Sequence, residues 1–259
     1  MKKIVLLTAT LLTVVGASAQ ESVDTLKAQK LKEVVVKAVR APENAPFAVA
    51  NIKKSDLQNF SKTGLELPYL LARIPGILAW GENGLGTGTA YMRVRGAAGS
   101  RINVTLDGVA LNSPEDQTVF WANMNSYAAL LGSVQIQRGI GTSTNGDGAF
   151  GGTISLATAE PSLTPSLELT GSYGSYNTYN AGASFSTGLL KNHWVFNGAY
   201  HETSTDGYVH GTEGRSGSSL GALTYYGDKF SISYKTVGNF AKTGQAWSGV
   251  TAGNDTVAL

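Results

Sequence analysis

YNAGASFS, residues 179–186, alternates without a break: Tyr179, Ala181, Ala183 and Phe185 fall on one side of an extended chain, Asn180, Gly182, Ser184 and Ser186 on the other. The period of two returns in Trp194, Phe196 and Tyr200 against Asn197, His201 and Thr203, and again in Phe230, Ile232 and Tyr234 against Ser231, Ser233 and Lys235. One face suits lipid and the other suits water, the pattern of a strand in a membrane-spanning barrel. The connections alternate too. Residues 189–192 and 226–229 are short, whereas 206–217 is long and polar, as for short periplasmic turns and longer external loops. The strands therefore read as antiparallel, with 206–217 outside the cell.

Composition agrees. Charged residues make up 15% of the 259, glycine accounts for 32, and cysteine is absent. A typical soluble domain carries about 25% charge. Without cysteine there is no disulfide framework and no thiolate metal site. Hydrophobic residues reach 42% but form no run long enough for a transmembrane helix. At about 20 residues per strand and loop, residues 161–259 hold roughly five strands. Five strands cannot close, and an open edge in lipid leaves backbone groups unsatisfied. The sequence is therefore expected to be a truncated gene product or a partial one.

Upstream, residues 41–160 mix helical and strand signals and read as a compact α+β domain. Ser55-Asp56-Leu57 starts one helix. Residues 65–73 form a second, stopped at Ile74-Pro75-Gly76 because the residue before proline leaves the helical region. Strands follow at 91–95 and 101–106, with a tight turn at Asp107-Gly108, and 134–137 and 153–156 complete a small sheet.

At the start, Met1-Lys2-Lys3, an apolar stretch over 4–15 and Ala17-Ser18-Ala19 form a secretory signal peptide, residues 1–19, cleaved before Gln20. Losing Lys2 and Lys3 leaves a mature chain of zero net charge, which excludes nucleic acid as an electrostatic partner. Residues 20–40 are a mobile leader ending in LKEVVVKAVR, whose β-branched centre favours an extended strand. That strand either edges the following domain or adds itself to another protein's sheet.

Strings that invite enzyme or metal readings fail on residue type. Gly141 to Gly146 has phosphate-loop spacing, but Asp147 stands where lysine is needed. His193 and His201, on one strand, lie more than about 20 Å apart. Asn145-Gly146-Asp147-Gly148 lacks the downstream acid of a calcium loop. No nucleophile, base and orienting acid assemble, so the sequence predicts no catalysis, no metal site and no cofactor.

Nearly the whole chain resembles the TonB-dependent outer-membrane receptors, in particular the iron-complex and cobalamin receptors of the Bacteroidota. LKEVVVKAVR (31–40) resembles the TonB box. LLARIPGI (70–77), MRVRGAAGSRINVTLDGVALN (92–112) and VQIQRGIGTSTNGDGAFGGTISLAT (134–158) resemble successive plug motifs, and GSYGSYNTYNAGASFS (171–186) and STDGYVHGTEGRSGSSLGALTYYG (204–227) the first barrel strands. Ala110 departs from the proline usual after Asp-Gly-Val in the family.

The resemblance implies an α+β plug domain (41–160) followed by the first strands of an antiparallel transmembrane β-barrel (161–259), which has about 22 strands when complete. It also implies TonB-powered import of a scarce small metal-chelate or cofactor ligand across the outer membrane of a Gram-negative bacterium, with outer-membrane lipid around the wall. Glu33, Val34, Val35, Val36, Lys37 and Ala38 would bind TonB. Arg95 and Arg138 would pair the plug with barrel glutamates. Gly96, Asp107, Gly108, Gly139, Gly148, Gly151 and Gly152 would form plug turns. Ligand candidates are Trp80 and Trp121, held by plug segments 80–90 and 112–125, with Tyr91 and Phe120 beside them, because aromatic faces cover a macrocycle or siderophore at little entropic cost. Two alternatives share these motifs: a truncated or accessory secreted plug that binds TonB or ligand without a pore, and an importer of oligosaccharide. Glycan importers of this group usually carry an additional domain before the box, which favours siderophore iron, haem or cobalamin.

Overall fold

A computed structural model describes residues 40–41, 48–140, 149–244 and 246. The leader candidates Glu33 to Ala38, the signal peptide and Gly148 lie outside the described residues.

The N-terminal unit is built on a five-stranded sheet of order β1-β6-β7-β4-β5. Its strands are β1 (Ala48–Lys53), β4 (Ile102–Leu106), β5 (Val109–Ala110), β6 (Leu131–Arg138) and β7 (Gly152–Thr158). Only β4 and β7 run parallel; the other pairs are antiparallel. A hairpin of β2 (Ile77–Gly81) and β3 (Ala90–Val94) stands beside it. Two short helices, α1 (Lys54–Ser61) and α2 (Leu67–Leu71), cover one face.

Period-two alternation gives this sheet two unlike faces. Register aligns Ile136, Ile154 and Val104 in one row and Ile52, Val134 and Leu156 in the next. These form the core with Leu57 and Phe60 of α1 and Leu67, Leu70 and Leu71 of α2. The opposite rows are polar, Asn51, Gln135, Ser155 and Thr105, then Gln137 and Thr153. All of these except Asn51 are buried.

Helix α2 is shorter than the 65–73 expected. The Glu66 amide is drawn away to Gly86 O at 2.9 Å, and Arg73 and Ile74 close tighter turns onto Leu70 and Leu71. The loop expected from Trp80 onward begins only after Gly81, since Trp80 pairs with Tyr91 inside the hairpin. The Asp107-Gly108 turn has φ of 50° and 85°. Two successive left-handed residues match the twist of a tight hairpin, which is why glycine stands second. At Gly152, any Cβ would lie 2.5 Å from Gln137 O.

The C-terminal unit is an antiparallel meander of five strands: β8 (Pro165–Tyr173), β9 (Tyr179–Thr187), β10 (Trp194–Thr205), β11 (Gly214–Tyr226) and β12 (Ser231–Thr243). Its polarity is inverted relative to a soluble sheet. Leu169, Phe185, Phe196, Tyr200 and Leu223 point away from the N-terminal unit and are exposed, whereas Asn180, Asn197, His201, Thr203 and Ser218 face it and are buried. Strand β11 takes up residues 214–217, so the connection to β10 is shorter than the 206–217 expected; cross-strand pairing of Gly214 to Gly217 with both neighbours captures them.

Outward-facing aromatics mark both ends of the wall. Trp194 and Tyr225 meet at 4.9 Å at one end, and Tyr173 and Tyr179 sit opposite each other at the other. From Trp194 to Ser204, β10 advances about 33 Å, which at a tilt of about 40° spans about 25 Å, the height of an outer-membrane apolar band.

Candidate ligand site and the seam between plug and wall

The β2–β3 hairpin and the segment after β5 enclose a cleft of about 440 Å³, within the range of small-ligand sites. Trp80, Tyr91, Phe120 and Trp121, drawn from two separate segments of the sequence, all line it. Trp80 and Tyr91 stack at 5.6 Å with an interplanar angle of 22°. The Arg93 guanidinium lies 5.7 Å from the Trp80 ring, a cation–π distance. Trp80 is 40% and Phe120 59% exposed, but Trp121 is only 7% exposed and packs in the plug core. All three line the cleft, Trp80 and Phe120 as exposed rings and Trp121 as a buried one.

Sequence reasoning did not single out Arg93. It stands two residues from Tyr91, on the same side of β3, so the alternation of the strand carried the signal. Tyr91 donates to Glu82 Oε1 at 2.6 Å. That bond, with burial and the Glu82 charge, pushes the phenol up to about 12, so it remains a neutral donor.

Bonded to residues on both segments is a carboxyl that the sequence did not reveal. Glu66 is 3% exposed and accepts from Asn125 Nδ2 at 2.6 Å, the Gly88 amide at 3.2 Å and the Ser126 amide at 3.3 Å. Burial outweighs these bonds and pushes it up to about 8. It ties α2 to both segments flanking the cleft.

Ser126 carries that tie to the wall. Its hydroxyl lies 3.3 Å from Thr203 Oγ1, and its carbonyl accepts from Ser218 Oγ at 3.1 Å. Elsewhere on the seam, Gln58 donates to Glu168 at 2.8 Å, Ser172 to Lys62 O at 2.6 Å, and Lys235 to Asp107 at 2.8 Å. The Tyr208 and Val209 amides reach Asn83 O at 3.1 and 3.3 Å. These bonds are polar on both sides, as a water-facing wall requires.

Arg95 and Arg138 come together at the Pro75-Gly76 turn. Arg138 Nη1 donates to Pro75 O at 2.8 Å, and the Arg95 amide to Gly76 O at 2.7 Å. The Arg95 side chain also fills the space beside Gly139. Of the wall glutamates, Glu168 faces Gln58 and Glu202 turns outward to Arg215 at 2.7 Å. Gly96 and Gly139 adopt φ of 80° and 92°, and Gly151 packs against Ala97.

Residues 41–153 match the TonB-dependent Receptor Plug Domain family. No curated relative matches the chain in sequence. Among solved structures, the copper transporter OprC superposes with a TM-score of 0.62 at 15% identity, over 80% of this chain and 33% of that one. The ferric citrate transporter FecA in its unliganded form gives 0.63 at 19% identity, over 78% and 32%. A ferric enterobactin receptor mutant from Pseudomonas aeruginosa gives 0.60 at 14% identity, over 77% and 34%. The chain spans about a third of the length of these structures. Residues 41–153 are thus similar to a TonB-dependent receptor plug domain, and the chain has the fold of the N-terminal portion of these structures, a plug beside the antiparallel strands of a partial barrel.

Proposed function

We propose that this chain is the N-terminal portion of an outer-membrane receptor that imports a scarce small metal-chelate or cofactor complex, such as siderophore-bound iron, haem or cobalamin. After signal-peptide cleavage the wall sits in outer-membrane lipid and the plug stoppers its lumen. The observation that carries this reading is the inverted wall: its apolar side chains point outward, while its polar face is bonded to the plug through Glu168, Thr203, Ser218 and Lys235.

A plugged lumen does not leak, so passage needs work, and the outer membrane has no ATP. Residues 33–38 take that work from TonB. The β-branched run Val34-Val35-Val36 would add to a partner sheet through backbone hydrogen bonds. Ligand first rests on Trp80, Tyr91 and Phe120, with Arg93 favouring an anionic chelate; catalysis plays no part. Val35→Pro in the full-length receptor tests the reading, because proline removes a ladder donor. Energised uptake should be abolished with ligand binding intact, and undiminished uptake would overturn it.

A further inference from the structure

We propose that Arg40 and Gln135 form a latch that is the first joint of the plug to open when the leader is pulled, and that its opening shifts the load to the N-terminal end of β1. The inference rests on the reading that tension arrives through residues 33–38, and it assigns Arg40 and Gln135 as positioning residues.

Arg40 stands two residues beyond Ala38. Its Nη1 donates to Ser133 Oγ at 2.9 Å, and its Nη2 to Ser133 O at 3.2 Å and Ser155 O at 3.1 Å, so one guanidinium straddles β6 and β7. The next residue is held by its backbone. The Ala41 amide donates to Gln135 Oε1 at 2.8 Å, and Gln135 Nε2 returns a bond to Ala41 O at 3.0 Å. A side-chain amide here does what a neighbouring strand would do. Gln135 Nε2 also reaches Asn51 Oδ1 at 2.9 Å, tying the latch to β1.

Two features make this joint releasable. It docks on the polar face of the sheet, so water can replace every bond as it opens and Ala41 is the one buried apolar residue of the latch that is uncovered. The opposite face, with Val134, Ile136, Ile154 and Leu156, would lose hydrophobic burial if it were opened instead. The second feature is position. Arg40 sits at the Ser133 end of β6, whereas β1 begins at Ala48, paired with Arg138 at the other end. While the latch holds, a pull on Arg40 loads the two central strands β6 and β7 together. Once it opens, residues 42–47 carry the load to Ala48, and β1 is stressed one pair at a time from there. β1 is an edge strand bonded only to β6, so it peels away with the β6–β7 pairing intact.

Force spectroscopy on the full-length receptor tests this, pulling on a leader handle, Ser22→Cys, with the barrel held in detergent. The wild type should show a small first rupture that releases up to roughly 25 Å of chain, the stretch from Arg40 to Ala48. A separate rupture for β1 should follow. Arg40→Met and Gln135→Met should each lose the first rupture; Arg40→Met should keep the second at its wild-type force with unchanged thermal melting, whereas Gln135→Met, which also loses the bond to Asn51 of β1, should lower it. Arg40→Lys, which keeps the charge without the fork, should retain a weakened first rupture. A first rupture unchanged in both methionine variants overturns the latch, and so does a first event that already frees β1 and α1. Failure of the underlying reading shows elsewhere, as uptake indifferent to Val35→Pro, because the rupture curves involve no TonB.

Discussion

Lys235 of the wall and Asp107 of the plug are joined at 2.8 Å, and the same ammonium reaches Thr158 Oγ1 at 2.8 Å. Asp107 in turn accepts from the Thr158 amide at 3.0 Å and its hydroxyl at 2.7 Å. One carboxylate therefore closes the β4–β5 turn, fixes the end of β7 and ties the plug to β12. Lys235→Met should cost only about 0.2–1 kcal/mol, because both partners are about a third exposed. Asp107→Ala should cost about 1–3 kcal/mol, since two further bonds are lost. Burial works against ionisation of Asp107, but Lys235 and Thr158 outweigh it and hold the carboxyl below its ordinary value. Its stabilising contribution is present above that ordinary value and is lost as pH falls through the lower folded one. Calorimetry of plug unfolding at graded pH measures both effects.

Glu66 has the opposite sign. Its folded pKa, about 8, lies above the unfolded value, so its contribution is fully present at low pH and is lost as pH rises toward 8. Glu66→Gln keeps the shape and removes the titration. The variant's melting temperature should gain on the wild type between about pH 5 and about pH 8. A gap independent of pH would mean that Glu66 is ionised in the folded plug.

The cleft aromatics should separate by burial. Trp80→Ala and Phe120→Ala should each weaken ligand binding on de-energised cells by about 1–3 kcal/mol, roughly 5- to 150-fold, with little change in melting. Trp121→Ala should instead destabilise the plug by about 3–5 kcal/mol, as removal of a core aromatic does. Wild-type binding in the first two variants would move the site to other loops.

The antiparallel order of the wall gives a topology to test. With the N-terminal unit entering from the periplasm, β8 and β10 are expected to run outward, residues 206–213 to lie outside, and the turn before Trp194 to face the periplasm. An epitope inserted at Gly211, which adopts φ of 81° with open space beside it, should be labelled on intact cells. Labelling only after permeabilisation would reverse the wall.

Much of this was legible because lipid imposes a simple rule. Tyr179, Ala181, Ala183 and Phe185 alternate since nothing polar is stable beside them, and a period of two needs no partner to be read. Asp107-Gly108 was legible because two left-handed residues demand that chemistry. β1 was missed: AVANIK is short and is extended only because β6 lies beside it. Glu66 escaped for the same reason, its partners Asn125 and Ser126 being distant in sequence. Arg40 reads as the end of a charged strand until Ser133 and Ser155 are placed around it. The cleft aromatics could be picked by type, but only packing divides Trp121 from Trp80 and Phe120.

The central claim is that TonB grips this chain through residues 33–38. Titrating the purified periplasmic domain of the host's TonB into the full-length receptor in detergent tests it directly. Saturable binding should be seen with the wild type and should be lost, or weakened at least about tenfold (about 1.4 kcal/mol), in Val35→Pro. Equal binding by both, or binding by neither, would contradict it.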